Sequence, residues 1–238
     1  MKNLVSGLMV CLLISVFGFQ TLLGQDVRGT GEVISRTMDV DRFDGMAIDG
    51  VWSITLVQSS QSKVTVETDR ALLPHIQILT QNGNLKVNMD VDNLEDVETF
   101  RLTIYTPNIN RIELDGAAKL VSEREIQGSE LAIELAGASQ VELGLDYDAV
   151  SVNMGGASLV NLTGYAKQAK LDITGTGAMN AEGMDAERVK VSLSGAAFTK
   201  VSAIEFLDVS ISGLGVVSYK GDPEIRKDIS GLGSLNRI

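Results

Sequence analysis

Cys11 is the only cysteine of this 238-residue chain, and His75 is the only histidine. Nothing downstream of Cys11 can form a disulfide or a thiolate metal site. One histidine and one cysteine are too few for a zinc site of the usual ligand types. A Ser-His-Asp triad would have to use His75, and no G-x-S-x-G elbow accompanies it. Following Pro74, His75 reads as a partly exposed loop residue. Aromatic residues make up only 5% of a chain that is 44% hydrophobic, so the core must be aliphatic. Proline occurs 3 times and glycine 24 times, so the turns rely on glycine. That balance suits short strands and tight turns rather than helices.

The first 25 residues stand apart. Lys2 precedes an apolar run from Leu8 to Phe19, the n-region and h-region of a secretory signal. The run is shorter than the ~20 apolar residues of a membrane span. Val10 before Cys11 is not the small residue of a lipoprotein signal, so Cys11 reads as part of the apolar run. Residues 1–25 are therefore expected to be a signal peptide and 26–238 one exported domain, in the periplasm or at the cell surface of a bacterium. Removing 1–25 takes away one cation and no acid, which moves the net charge from −11 to −12. Such a body repels nucleic acid and anionic membranes. No stable membrane span is expected after cleavage.

The remainder is repetitive. An alternating apolar strand ends in a small-residue corner at Gly116, Gly137, Gly156, Gly175, Gly195, Gly213 and Gly231. The steps between these glycines are 21, 19, 19, 20, 18 and 18 residues. In "VSLSGAAFTKV" a strand at Val191–Ser194 meets the corner, and a second short strand follows at Phe198–Val201. Val191 and Leu193 point one way and Ser192 and Ser194 the other, because strand side chains alternate. One such unit cannot bury its own apolar face, whereas stacked units can. A period of two inside each unit opposes helical repeats. The pattern predicts an all-β, parallel β-helix with coils of about 18–21 residues. Spaced about 4.8 Å apart, seven corners make a ladder roughly 29 Å tall. Glycine at the corner is expected to supply positive φ and to avoid clashes between stacked turns.

Before Gly116 the pattern loosens. "GVWSITLVQ", "KVTVETD", "NGNLKVNMDV" and "FRLTIYTPNI" read as strands of wider, irregular N-terminal coils that close the column. With these segments, the glycine ladder and the ending "SYKGDPEIRKDISGLGSLNRI", the chain resembles the head GIN domain of auto-transporter adhesins over about residues 29–236. The most specific part is Tyr219, Gly221 and Pro223, followed by Gly231 and Gly233. The resemblance implies a right-handed β-helix, export and an adhesion or surface role, and it carries no catalytic residues. Corners reading G-A-A or G-A-S depart from the G-S-G frequent in that family, which touches corner packing only.

Two groups of side chains could carry chemistry. Asp90, Asp92 and Asp96 are hard oxygen ligands of the kind calcium takes, but the EF-hand frame is missing. Glu113 and Glu134 fall at outward positions of successive coils, followed by Asn153, Asp172, Ser192, Ser210 and Asp228. Two stacked carboxylates about 5 Å apart would suit a retaining glycosidase. A solvated ladder edge, where like charges are tolerated, fits them better, because no further catalytic grouping surrounds them in the sequence. Trp52, Tyr105, Tyr147 and Tyr219 are dispersed and read as packing residues. The sequence thus points to a non-enzymatic, adhesin-like or scaffolding envelope protein, with no catalytic residue and no cofactor. Its expected partner is a glycan or an envelope protein, and self-association stays open. The alternative is a polysaccharide-active enzyme working through its outer-face acids.

Overall fold

A computed structural model describes residues 26–238, so the expected signal peptide lies outside the described residues. The chain forms a β-solenoid of about seven stacked parallel turns. Its strands are β1 (Asp26–Arg28), β2 (Val33–Asp39), β3 (Gly45–Gln58), β4 (Lys63–Asp69), β5 (Ile76–Gln81), β6 (Asn84–Met89), β7 (Asn93–Glu95), β8 (Phe100–Thr106) and β9 (Arg111–Ser122). They continue as β10 (Ile126–Leu135), β11 (Ala138–Met154), β12 (Ala157–Ile173), β13 (Thr176–Leu193), β14 (Ala196–Ile211), β15 (Val216–Lys220), β16 (Glu224–Ile229) and β17 (Ser234–Arg237). Among the described residues there is no α-helix, and His75 closes a single 3-10 turn, Leu73–His75.

Strands β9 to β17 pair in parallel, each coil on the next. The ladder register stacks like on like: Ile112, Ile133, Val152, Leu171, Val191 and Val209 form one inward column, all at most 2% exposed. Each such side chain contributes on the order of 1.5–3 kcal/mol of burial. The core is aliphatic throughout, as the scarcity of aromatics requires.

In place of two short strands per coil there is one long strand of 16–18 residues that bends without leaving the ladder. Interstrand hydrogen bonds continue through a bend, so only the glycine corner interrupts the strand. Unequal coil lengths are absorbed at the bends: the β12–β13 register shifts between Asn161 and Thr163, and the β13–β14 register between Ala181 and Asp185. Bulges of this kind turn a strand while its flanks stay paired.

The N-terminal end is built differently from a coil. β3 stacks in parallel on β9, as a coil would, and also pairs with β6 and β8. Beyond it, β8–β4, β4–β2 and β5–β6 are antiparallel. These antiparallel strands extend the ladder beyond β3 at the N-terminal end, where β2 and β5 are its edges. Among the described residues, the edges at the C-terminal end are β16, which pairs with β14, and β17, which pairs with β15.

Candidate binding face

The glycine corner is held by space more than by backbone angle. Of the seven corner glycines only Gly116 has a positive φ, 107°. At Gly137, Gly156, Gly175 and Gly195 an added Cβ would fall 1.9 Å from the carbonyl oxygen of the glycine one coil earlier. Gly213 and Gly231 leave only 2.1 and 2.3 Å in the same direction. Close stacking of backbone on backbone, rather than left-handed geometry, fixes glycine at most of this column.

Ahead of that corner, the solenoid presents a flat face with three outward columns. One runs Glu113, Glu134, Asn153, Asp172, Ser192, Ser210, Asp228. Beside it runs Arg111, Ala132, Ser151, Lys170, Lys190, Asp208, Arg226. The third is Glu130, Ala149, Gln168, Arg188, Phe206, Glu224.

Glu113 and Glu134 do stack, one coil apart, and Arg111 joins them. Its guanidinium bonds to Glu113 through Nε and to Glu134 through Nη2 at 3.1 Å. The hydrogen bond to Glu113, and then the charges of Glu113 and Glu134, hold Arg111 above the usual arginine range. A retaining hydrolase needs one of its carboxyls free as nucleophile and the other free to protonate a leaving group. Here a single cation binds both. Along the same column Lys170 pairs with Asp172 at 2.8 Å.

Asp90, Asp92 and Asp96 do not converge. Asp96 accepts a hydrogen bond from Arg28 Nε at 2.9 Å, and no group of three or more metal-ligating side chains occurs among the described residues. The dispersed aromatics pack: Trp52 is buried and donates to the Asp49 carbonyl at 3.0 Å. Tyr147 is buried too, donates to the Ile109 carbonyl at 2.8 Å, and is raised above the usual tyrosine range by desolvation.

The main concavity lies on the two columns that periodicity did not single out. A groove of about 950 Å³ crosses the face from β10 to β14. Its floor is Ala132, Ala149 and Ser151, short side chains on consecutive coils. Asp44, Asn108 and Asn110 stand at one end, with Asn110 Nδ2 donating to Asp44 at 3.1 Å. Gln168, Lys170, Arg188, Lys190 and Phe206 rise at the other. The groove exists because Ala132, Ala149 and Ser151 are short, while Gln168, Lys170, Arg188 and Lys190 on the next two coils are long. A second concavity of about 530 Å³ adjoins it over Glu113, Glu134, Lys86 and Asn153. The signal available in the sequence was the residue two before each outward position of the Glu134 column, which reads Ala, Ser, Lys, Lys, Asp at positions 132, 151, 170, 190 and 208.

On the adjoining face, after the corner, Leu159 and Phe198 are 56% and 69% exposed, and Leu214 and Leu232 are 59% and 86% exposed. Leu159 and Phe198 share one outward column with Ala178 between them, while Leu214 and Leu232 directly follow the corner glycines Gly213 and Gly231.

Solved structures share this architecture. A "putative adhesin" from Bacteroides fragilis NCTC 9343 superimposes with a TM-score of 0.84 at 23% identity, over 89% of this chain and 100% of that one. A "putative lipid binding protein" from Parabacteroides distasonis ATCC 8503 gives a TM-score of 0.74 at 19% identity, over 90% and 100% of the two chains. A "putative adhesin" from Parabacteroides merdae ATCC 43184 gives 0.65 at 20% identity, over 90% and 99%. At these identities the likeness is one of fold. No curated protein matches the chain. Residues 42–223 match the family described as "Putative auto-transporter adhesin, head GIN domain", and the chain belongs to that family.

Proposed function

We propose that this chain is an exported, non-enzymatic, adhesin-like protein of the bacterial cell envelope that holds a sugar chain in the groove over β10–β14. The observation that carries this reading is the groove's lining. It is shallow, open and about 950 Å³, within the range of small-ligand sites. Asn108, Asn110, Ser151 and Gln168 offer amide and hydroxyl groups, and Phe206 an aromatic ring. Sugars, with apolar ring faces and many hydroxyls, match such a lining. The family description supports an adhesive role, and the n-region and h-region of residues 1–25 support export. Arg111 bonded to both Glu113 and Glu134 argues against turnover at that pair.

A second reading, a protein partner, is favoured by the exposed apolar side chains Leu159, Phe198, Leu214 and Leu232 near and after the corner. Several large apolar side chains exposed on one face mark an interaction surface. A broad glycan array separates the two. Binding that is lost on Gln168→Ala with Phe206→Ala supports the groove. A blank array, with partner capture lost on Phe198→Ser, supports the apolar face after the corner.

A further inference from the structure

We infer that the groove takes an acidic sugar chain, one whose rings carry carboxylate or sulfate groups, through Arg188 and Lys190. The inference rests on the sugar-binding reading above and goes further by naming the ligand's charge. The chain is acidic overall at −11, yet Lys170, Arg188 and Lys190 gather on one wall of the groove. Lys170 is neutralised by Asp172 at 2.8 Å. Arg188 and Lys190 make no ion pair among the described residues. Both are exposed, on consecutive outward positions of β13.

The arrangement of Arg188 is specific. Its guanidinium carbon lies 5.2 Å from the centre of the Phe206 ring. A guanidinium held over an aromatic ring gives up no hydrogen bond to it, so its N–H groups stay free to meet a carboxylate or sulfate in two-point contact. Contact with the ring also restrains the side chain before any ligand arrives, which lowers the entropic cost of binding.

Acids bound this cationic wall on both sides. Asp208 stands in register beside Lys190, and Glu130 and Asp44 lie toward the far end of the groove. Carboxylates accept hydrogen bonds from sugar hydroxyls but repel anions. An acidic group is therefore directed to Arg188 and Lys190, while hydroxyls of neighbouring rings face the acids and amides. Five coils, β10 to β14, span about 19 Å at the spacing of paired strands, which suits an extended chain rather than a single ring. The overall negative charge does not prevent this. At physiological ionic strength, charges beyond a Debye length of about 8 Å are largely screened, so the groove's own cations dominate at contact.

The test measures binding of the purified protein to a panel of uronate and sulfated polysaccharides of different linkage. Each is paired with its carboxyl-reduced or desulfated form. The double variant Arg188→Gln, Lys190→Gln is compared with Lys119→Gln, Lys200→Gln, which makes the same change in charge on the adjoining face. The expected result is binding to at least one acidic polymer and loss with its neutralised form. The groove variant should weaken that binding by about tenfold or more, and the control variant should not. Equal binding to acidic and neutralised polymers overturns the inference and keeps the sugar reading. Equal weakening by both variants also overturns it, because bulk charge then explains the affinity. Failure to bind any polymer, acidic or neutral, removes the sugar reading and the inference together. Melting temperatures of all variants verify that each is folded.

Discussion

A Cβ on Gly195 would stand 1.9 Å from the carbonyl oxygen of Gly175, one coil below. No rotamer relieves such a contact, because both partners are backbone. The coils would have to separate at the corner, with loss of nearby ladder bonds such as Ala196 N to Gly175 O at 3.2 Å. Gly195→Ala is expected to cost about 3 kcal/mol or more, the upper range for forcing atoms into a packed site. Gly195→Val should cost more still. Ser192→Val, on the outward column of the same coil, should stay within about 0.5 kcal/mol. Thermal melts of the variants decide the matter, and equal melting temperatures for Gly195→Val and Ser192→Val would count against the register.

Arg111 joins two like charges on adjacent coils. Removing it leaves Glu113 and Glu134 facing each other unscreened, a destabilising arrangement across paired strands. All three side chains are substantially exposed, so Arg111→Ala should cost only about 0.5–1 kcal/mol. Glu134→Gln in that background should restore part of the loss. A double-mutant cycle by chemical denaturation measures the coupling. If the acids are catalytic instead, Glu113→Gln and Glu134→Gln would each abolish hydrolysis of a bound polysaccharide while stability hardly changed.

The column of corner glycines and the inward columns of Ile112 to Val209 were legible in the sequence because stacking repeats the same constraint at each coil. A core position must be apolar and a crowded corner must lack a Cβ, so both recur at the coil period. The groove was not legible in that way. Ala132, Ala149 and Ser151 are short, and Lys170, Arg188 and Lys190 are long, precisely because outward positions are free to vary. Their meaning depends on which coil lies above which. The antiparallel pairing at the N-terminal end was hidden for another reason. The alternation of Val64 and Val66 in β4 is the same whether β8 runs parallel or antiparallel to it.

Asp69, at the end of β4, fastens the N-terminal stretch to the antiparallel strands. Its Oδ2 accepts from Thr30 N at 2.9 Å and Gly31 N at 2.8 Å, and its Oδ1 from Ala71 N at 2.8 Å and Thr30 Oγ1 at 3.0 Å. The backbone bond from Ala71, with those from Thr30 and Gly31, holds the Asp69 carboxyl below the usual aspartate range against the opposing effect of desolvation. A depressed folded-state pKa means that this contribution is complete above the ordinary aspartate value of about 3.9 and fades as pH falls through the folded value. Asp69→Asn should therefore lower the melting temperature by several degrees at pH 7 and speed amide exchange at Thr30 and Gly31. The gap between variant and parent should narrow below about pH 4. A gap that stays constant down to pH 2 would assign the stability to other groups.

At the open C-terminal end, Lys227 occupies the ladder position above Val209, which is fully buried. On either side of it along β16, Ile225 and Ile229 are 39% and 36% exposed at positions that are core in earlier coils. An exposed strand with apolar residues on its inward side is a template for pairing with another chain. A lysine in the middle of that row opposes it, since stacking a second molecule would bury an unpaired ammonium. Lys227→Val removes the charge and leaves an unbroken apolar row at 225, 227 and 229. The variant should associate as its concentration rises, seen as increasing mass by light scattering, while the parent keeps a constant mass over the same range. Lys227→Arg should behave like the parent, because charge rather than length blocks the edge. If Lys227→Val also keeps a constant mass at every concentration reached, the edge is protected by something other than this lysine. The unpaired backbone groups of β16 and β17 would then be solvated stably enough to resist pairing on their own.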